Sequence, residues 1–208
     1  LGRISGRVTN SISGAGVGGV TLSLSGGQKT VVTAEDGSYT AIVDPGWSGT
    51  ATPAYPCGTF VPAVRTYTAL TNEVIHQDYG YSGLPPVGFA LMAPTNGSTG
   101  AMSFRLQWAA AECGVKYDVY LGTNGAPPLV ATVGTNECDI VLTNSGIYNW
   151  HVVARNAAGS ARSPAAGNWS FESIPVMTLT GTVSIVASNS TYDHTALVVD
   201  GGTVTIDG

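Results

Sequence analysis

The 208-residue sequence predicts an all-β protein: two tandem antiparallel β-sandwich domains and a C-terminal β-strand segment that adds to another sheet. Three observations lead there. Apolar residues recur with period two in short runs rich in Val, Thr, Ile and Tyr, bounded by Gly, Asp, Asn or Pro. No window carries the i, i+3, i+4, i+7 spacing of an amphipathic helix; the nearest approach, WAAAECG at 108–114, reads as a strand end entering a loop. The chain holds 28 Gly and 11 Pro, the residues that punctuate strands with turns.

Composition narrows the function as well. The chain is 43% hydrophobic but only 10% charged, the reverse of a disordered segment. A net charge of −5 with 8 Lys and Arg leaves no basic footprint for nucleic acid. No apolar run approaches the roughly 18–20 residues that a membrane-spanning helix needs.

In chain order, the first strands fall at Val17–Leu24, Lys29–Thr33, Ser38–Val43 and Glu73–Tyr79. Gly14 and Gly16 supply one turn, and Glu35-Asp36-Gly37 another, with Gly37 free to take positive φ. Tyr39, Ala41 and Val43 then alternate on one face, with Ser38, Thr40 and Ile42 on the other. Pro45-Gly46-Trp47 closes that strand, and Trp47 reads as a buried corner plug. Asp36 and Asp44 have the oxygens a calcium ion would want, but their positions mark a turn and a strand end. Two proline-bearing seams, YSGLPPV (81–87) and ESIP (172–175), divide the chain into 1–80, a linker at 81–87, 88–173 and 174–208.

Residues 4–80 carry, in order, ISGRVTN (4–10), GVGGVTLSLSG (16–26), TAEDGSYTAIVDPGWSGTATP (33–53) and FVPAVRTYTALTNEVIHQDY (60–79). In these motifs the segment resembles the carboxypeptidase regulatory-like, transthyretin-like β-sandwich of secreted bacterial proteins. Residues 84–173 carry Ala93-Pro94, Asn96-Gly97, Leu106-Gln107-Trp108, Tyr117–Gly122 and YNWHVVARNAAGSARSP (148–164). They resemble a fibronectin type III domain. Tyr148, Trp150, Val152 and Ala154 alternate inward there, and Trp108 is the expected large core partner of Trp150.

The fibronectin-like topology bears on the three cysteines, Cys57, Cys113 and Cys138. It implies that the strand before Cys113 and the strand that Cys138 begins are neighbours. The expected bridge is therefore Cys113–Cys138, which points to an oxidising, extracytoplasmic location and leaves Cys57 over.

Residues 176–208 hold the most regular pattern. Met177, Leu179, Gly181, Val183, Ile185 and Ala187 alternate with Thr and Ser, predicting one strand of roughly 35 Å at about 3.3 Å per residue. Leu197, Val199, Val204 and Ile206 follow around Asp200-Gly201-Gly202, in a stretch that also looks like the first rung of a right-handed β-helix. Strands this few cannot enclose a core, so the segment must pair with the preceding domain, a downstream domain or another copy. Met177, Leu179, Val183, Ile185, Leu197, Val199, Val204 and Ile206 are the candidate assembly residues.

Catalytic patterns are not found. His76, His151 and His194 are scattered, the acids are unpaired, and no nucleophile elbow, HExxH or phosphate-cradling loop occurs. No metal or cofactor is expected. Asn96, Asn168 and Asn189 head N-x-[ST] sequons and are candidate glycosylation sites. The expectation is a non-enzymatic extracellular structural protein, a fibre or surface-filament subunit joining copies of itself head-to-tail, with covalent glycan or polysaccharide as a further partner. The alternative is a spacer or carbohydrate-binding module of a larger secreted enzyme or adhesin, with Tyr55, Trp169 and Tyr192 as sugar-stacking rings.

Overall fold

A computed structural model describes residues 1–175 in full and, beyond them, the backbone of four strands within 176–207. The class is all-β. Two compact units divide the chain: the first comprises Leu1–Val87 with Cys113–Val115 and Arg155–Ser160, and the second the remainder.

Unit 1 is a β-sandwich. One sheet has the order β4-β1-β9-β6, with β8 also on β1; its strands are β1 (Gly2–Asn10), β4 (Ser38–Val43), β6 (Gly58–Val61), β8 (Glu73–Val74) and β9 (Tyr79–Gly83). The opposing sheet has the order β3-β2-β5-β7, from β2 (Thr21–Leu24), β3 (Val31–Val32), β5 (Trp47–Ala54) and β7 (Arg65–Leu70). The pairing is not purely antiparallel: β8 and β9 run parallel to β1, because the chain has crossed through the other sheet before returning. The predicted alternation in β4 holds, with Tyr39, Ala41 and Val43 buried and Thr40 and Ile42 exposed. Trp47 is buried and its indole N–H donates to the Ser25 carbonyl, so it plugs a corner as expected.

The stretch expected as a linker begins inside β9. Tyr81 is wholly buried, and its hydroxyl donates to the Pro56 carbonyl. The strand persists because β1 and β6 flank it on both sides.

Unit 2 is a second β-sandwich. A three-stranded sheet runs β10-β12-β15, formed by Leu91–Ala93, Ser103–Trp108 and Glu137–Val141. The facing sheet has the order β11-β18-β16-β13-β14, with β17 (Gly159–Ser163) on β16. Its strands are β11 (Ser98–Gly100), β13 (Lys116–Gly122), β14 (Leu129–Val133), β16 (Gly146–Asn156) and β18 (Trp169–Ser173). Tyr148, Trp150, Val152 and Ala154 of β16 are buried, as their alternation predicts. Trp108 and Trp150 are both fully buried, but their ring partners are Tyr117, at 5.5 Å between centroids, and Trp169, at 6.1 Å. Burying such rings stabilises the sandwich by several kcal/mol at roughly 25 cal/mol per Å².

The expected Cys113–Cys138 bridge is corrected. Cys113 is bonded to Cys57, with Cα atoms 5.4 Å apart, and Cys138 is free. The cause is local. Cys113 lies in a loop that belongs to unit 1, where Cys57 opens the turn into β6. Cys138 lies opposite the buried Leu106 on β12 and packs against the unit 2 core, where burial and the nearby Asp139 charge push its thiol pKa up.

Candidate functional site

The nominated assembly segment forms four strands: β19 (Val176–Leu179), β20 (Val183–Val186), β21 (Ala196–Val199) and β22 (Val204–Asp207). The single long strand expected across 177–187 is thus two strands, and they belong to separate sheets. β19 pairs with β21 in parallel and β20 with β22 in parallel, each pair forming a two-stranded sheet. The eight nominated residues meet one another in register: Met177 with Leu197, Leu179 with Val199, Val183 with Val204 and Ile185 with Ile206. The remaining residues of 176–208, including Asn189, Tyr192 and His194, lie outside the described ones.

That register exposes an internal repeat that reading the sequence for domains passed over. LTGTVSI (179–185) and VDGGTVTI (199–206) align with Thr182 on Thr203, Val183 on Val204, Ser184 on Thr205 and Ile185 on Ile206. One extra Gly in the second copy shifts the offset from twenty residues in β19/β21 to twenty-one in β20/β22.

The candidate sugar-stacking rings are engaged by their own cores. Trp169 stands edge-on to Trp150, with ring planes at 85°, and Tyr55 edge-on to Tyr81 at 82°. Both are half-buried, so neither presents an open platform. On the outward face of unit 2, Tyr120 and His151 stack with planes 7° apart and centroids 4.4 Å apart. Burial and the Arg162 charge hold the His151 pKa below its usual value, against a 2.9 Å hydrogen bond to Asn168 Oδ1 that pulls the other way.

Asn168 is thereby occupied. Its amide donates to the Gly125 carbonyl, and Arg162 donates to its oxygen. Asn96 is exposed in a turn, its oxygen accepting from the Ser170 N–H. Asp36 accepts from Ser38 N–H and Asp44 from Gln28, the structural roles expected of them. Among the described residues no group of three or more His, Cys, Asp or Glu is placed to hold a metal.

A shallow cleft of about 350 Å³ with mixed lining lies on unit 2, bounded by Leu121, Val130, Ile140, Val141 and Tyr148 together with Asp139 and Thr143. It borders β14 and β15, the terminal strands of the two sheets, and Val141 is 79% exposed there.

No protein-family model and no curated protein matches the sequence significantly. Among solved structures, the chain is similar to FN3tt at 19% identity, over 44% of this chain and 91% of that one, with a TM-score of 0.31. It is similar to a DUF3823 family protein from Parabacteroides merdae at 14% identity, over 83% and 98% of the two chains, with a TM-score of 0.31. It is also similar to BcpA, the major pilin subunit of Bacillus cereus, at 10% identity, over 88% and 72%, with a TM-score of 0.25.

Proposed function

We propose that the chain is a non-enzymatic structural protein of the cell exterior, of bacterial type: a surface or fibre subunit whose two β-sandwiches carry a strand-pairing C-terminal segment. On this reading unit 1 is a sandwich of the carboxypeptidase regulatory-like, transthyretin-like kind, supported by the motif order of residues 4–79. The Cys57–Cys113 disulfide suits an oxidising compartment.

One observation carries the reading. The C-terminal strands pair in two separate two-stranded sheets, so each has one main-chain edge without a ladder partner among the described residues. A two-stranded sheet is marginal in water. Residues 176–187 contain neither charge nor proline, the usual guards of an open edge. Such edges pair with further strands, and a head-to-tail contact between copies propagates as a fibre. Glycan attachment on this reading falls at the exposed Asn96 rather than at the occupied Asn168.

Light scattering and negative-stain microscopy of the purified protein over rising concentration test the proposal. Assemblies should grow with concentration and vanish in the Leu179→Asp/Val183→Asp variant, with both sandwiches still folded by circular dichroism. Monodisperse particles at every concentration overturn it.

A further inference from the structure

Resting on the reading that the C-terminal segment pairs with a sheet beyond itself, we infer what that sheet is. The strands β19 and β20, and then β21 and β22, belong to two successive coils of a parallel β-solenoid, and the open edge of the second coil takes a third coil of the same repeat, joined in tandem.

The register supports this directly. In each coil one strand precedes a Gly-Thr step and a second strand follows it, and both strands of the second coil pair parallel with their counterparts in the first. Two strand pairs therefore make nearly the same translation along the chain, twenty residues in one and twenty-one in the other. Stacked repeats bury a face that no single repeat can bury, and about three are needed for stability. The edge that β21 and β22 present has the same sequence pattern as the edge on which they already sit, so a strand pair of that pattern fits it in the same register.

Distances decide between a tandem coil and stacking of whole copies. A stack of copies would advance two strand spacings per copy, about 10 Å. A β-sandwich is roughly 20 Å thick, since its sheets alone are about 10 Å apart and outward side chains cover both faces. Two sandwiches per copy are crowded at that pitch and must splay outward, whereas a tandem coil brings none and fits the edge at lower cost. Charge then selects the kind of coil. The second coil carries Asp200 and Asp207, while Thr180 and Val186 stand at the matching places in the first. A third coil resembling residues 176–187 avoids stacking like charges on that edge.

The test extends the full chain after Gly208 with a copy of 188–195 followed by a copy of 176–187. A control carries Asp at the copied Val183 and Ile185. Amide exchange in 196–207 should slow at least tenfold in the extended protein but not in the control, and concentration-dependent association should fall. Exchange that is equal in the two overturns the inference. If association of the unextended protein nevertheless persists, the segment pairs with another kind of sheet and the proposed function stands. If the unextended protein never associates either, both fail.

Discussion

Cys57 and Cys113 are bonded to each other, and both occupy the left-handed region of backbone space, at φ 53° and 63°. Neither is a glycine, so the bond holds two residues in a conformation that costs about 1 kcal/mol or more apiece. Closing a loop across 56 residues removes roughly 4 kcal/mol of unfolded-state entropy. The net contribution is about 2 kcal/mol. The Cys57→Ser/Cys113→Ser variant should lose that much in denaturant titration of unit 1. Alkylation should label one thiol in the native protein and three after reduction; three labelled natively would refute the bond.

Acid should weaken unit 2 through His151. Its folded pKa lies below the ordinary 6.5, chiefly because burial opposes the charged ring. The unfolded chain therefore takes up a proton that the folded ring resists. The stability is fully present above pH 6.5 and is lost as pH falls through the folded pKa. Melting temperatures between pH 8 and 5 should fall less in His151→Asn than in the parent, and equal slopes would exclude the ring as the cause.

Two glycines with similar φ separate backbone strain from crowding. Gly14 (φ 71°) faces open space, whereas a Cβ on Gly37 (φ 83°) would collide with the Val8 carbonyl. Gly14→Ala should cost about 1–2 kcal/mol. Gly37→Ala should cost at least twice that, because β1 lies in the way. Chemical denaturation of the two variants gives the comparison, and equal losses would mean that the β1 backbone yields.

Asn156 uses all of its side chain. Its amide donates to the Leu84 and Cys113 carbonyls, while its oxygen accepts from the Ala158 and Gly159 N–H groups. Asn156→Ala should cost about 2–3 kcal/mol by leaving these groups unpaired. Asn156→Asp keeps the two accepted bonds but sets a carboxylate against two carbonyls, and should rescue less than half of the loss in the same titration.

The sandwiches were legible because half-buried strands alternate, and β4 and β16 announce their inner faces residue by residue. The disulfide was not. Reasoning from neighbouring strands within one sandwich favoured Cys138, but Cys113 lies in a loop that is part of unit 1, and period-two patterns say nothing about loops. Asn10 and Asn156 gave no signal for the same reason. The Asn10 amide bonds to the Ala157 carbonyl, 147 residues away. The C-terminal residues were correctly singled out as strand-forming, yet their mutual register was hidden by one inserted glycine. The signal was present all the same in Thr-Val-Ser-Ile and Thr-Val-Thr-Ile.

Unit 1 takes its last residues from Arg155–Ser160, although its sheets are complete by Gly83. A chain made or exported from its N-terminus presents those sheets long before the pieces that finish them. Leu1–Val87 must wait, with Cys57 unpaired, until Cys113 and then Asn156 arrive. The first module to emerge therefore closes only when most of the second has been made, shortly before β18 completes that one too.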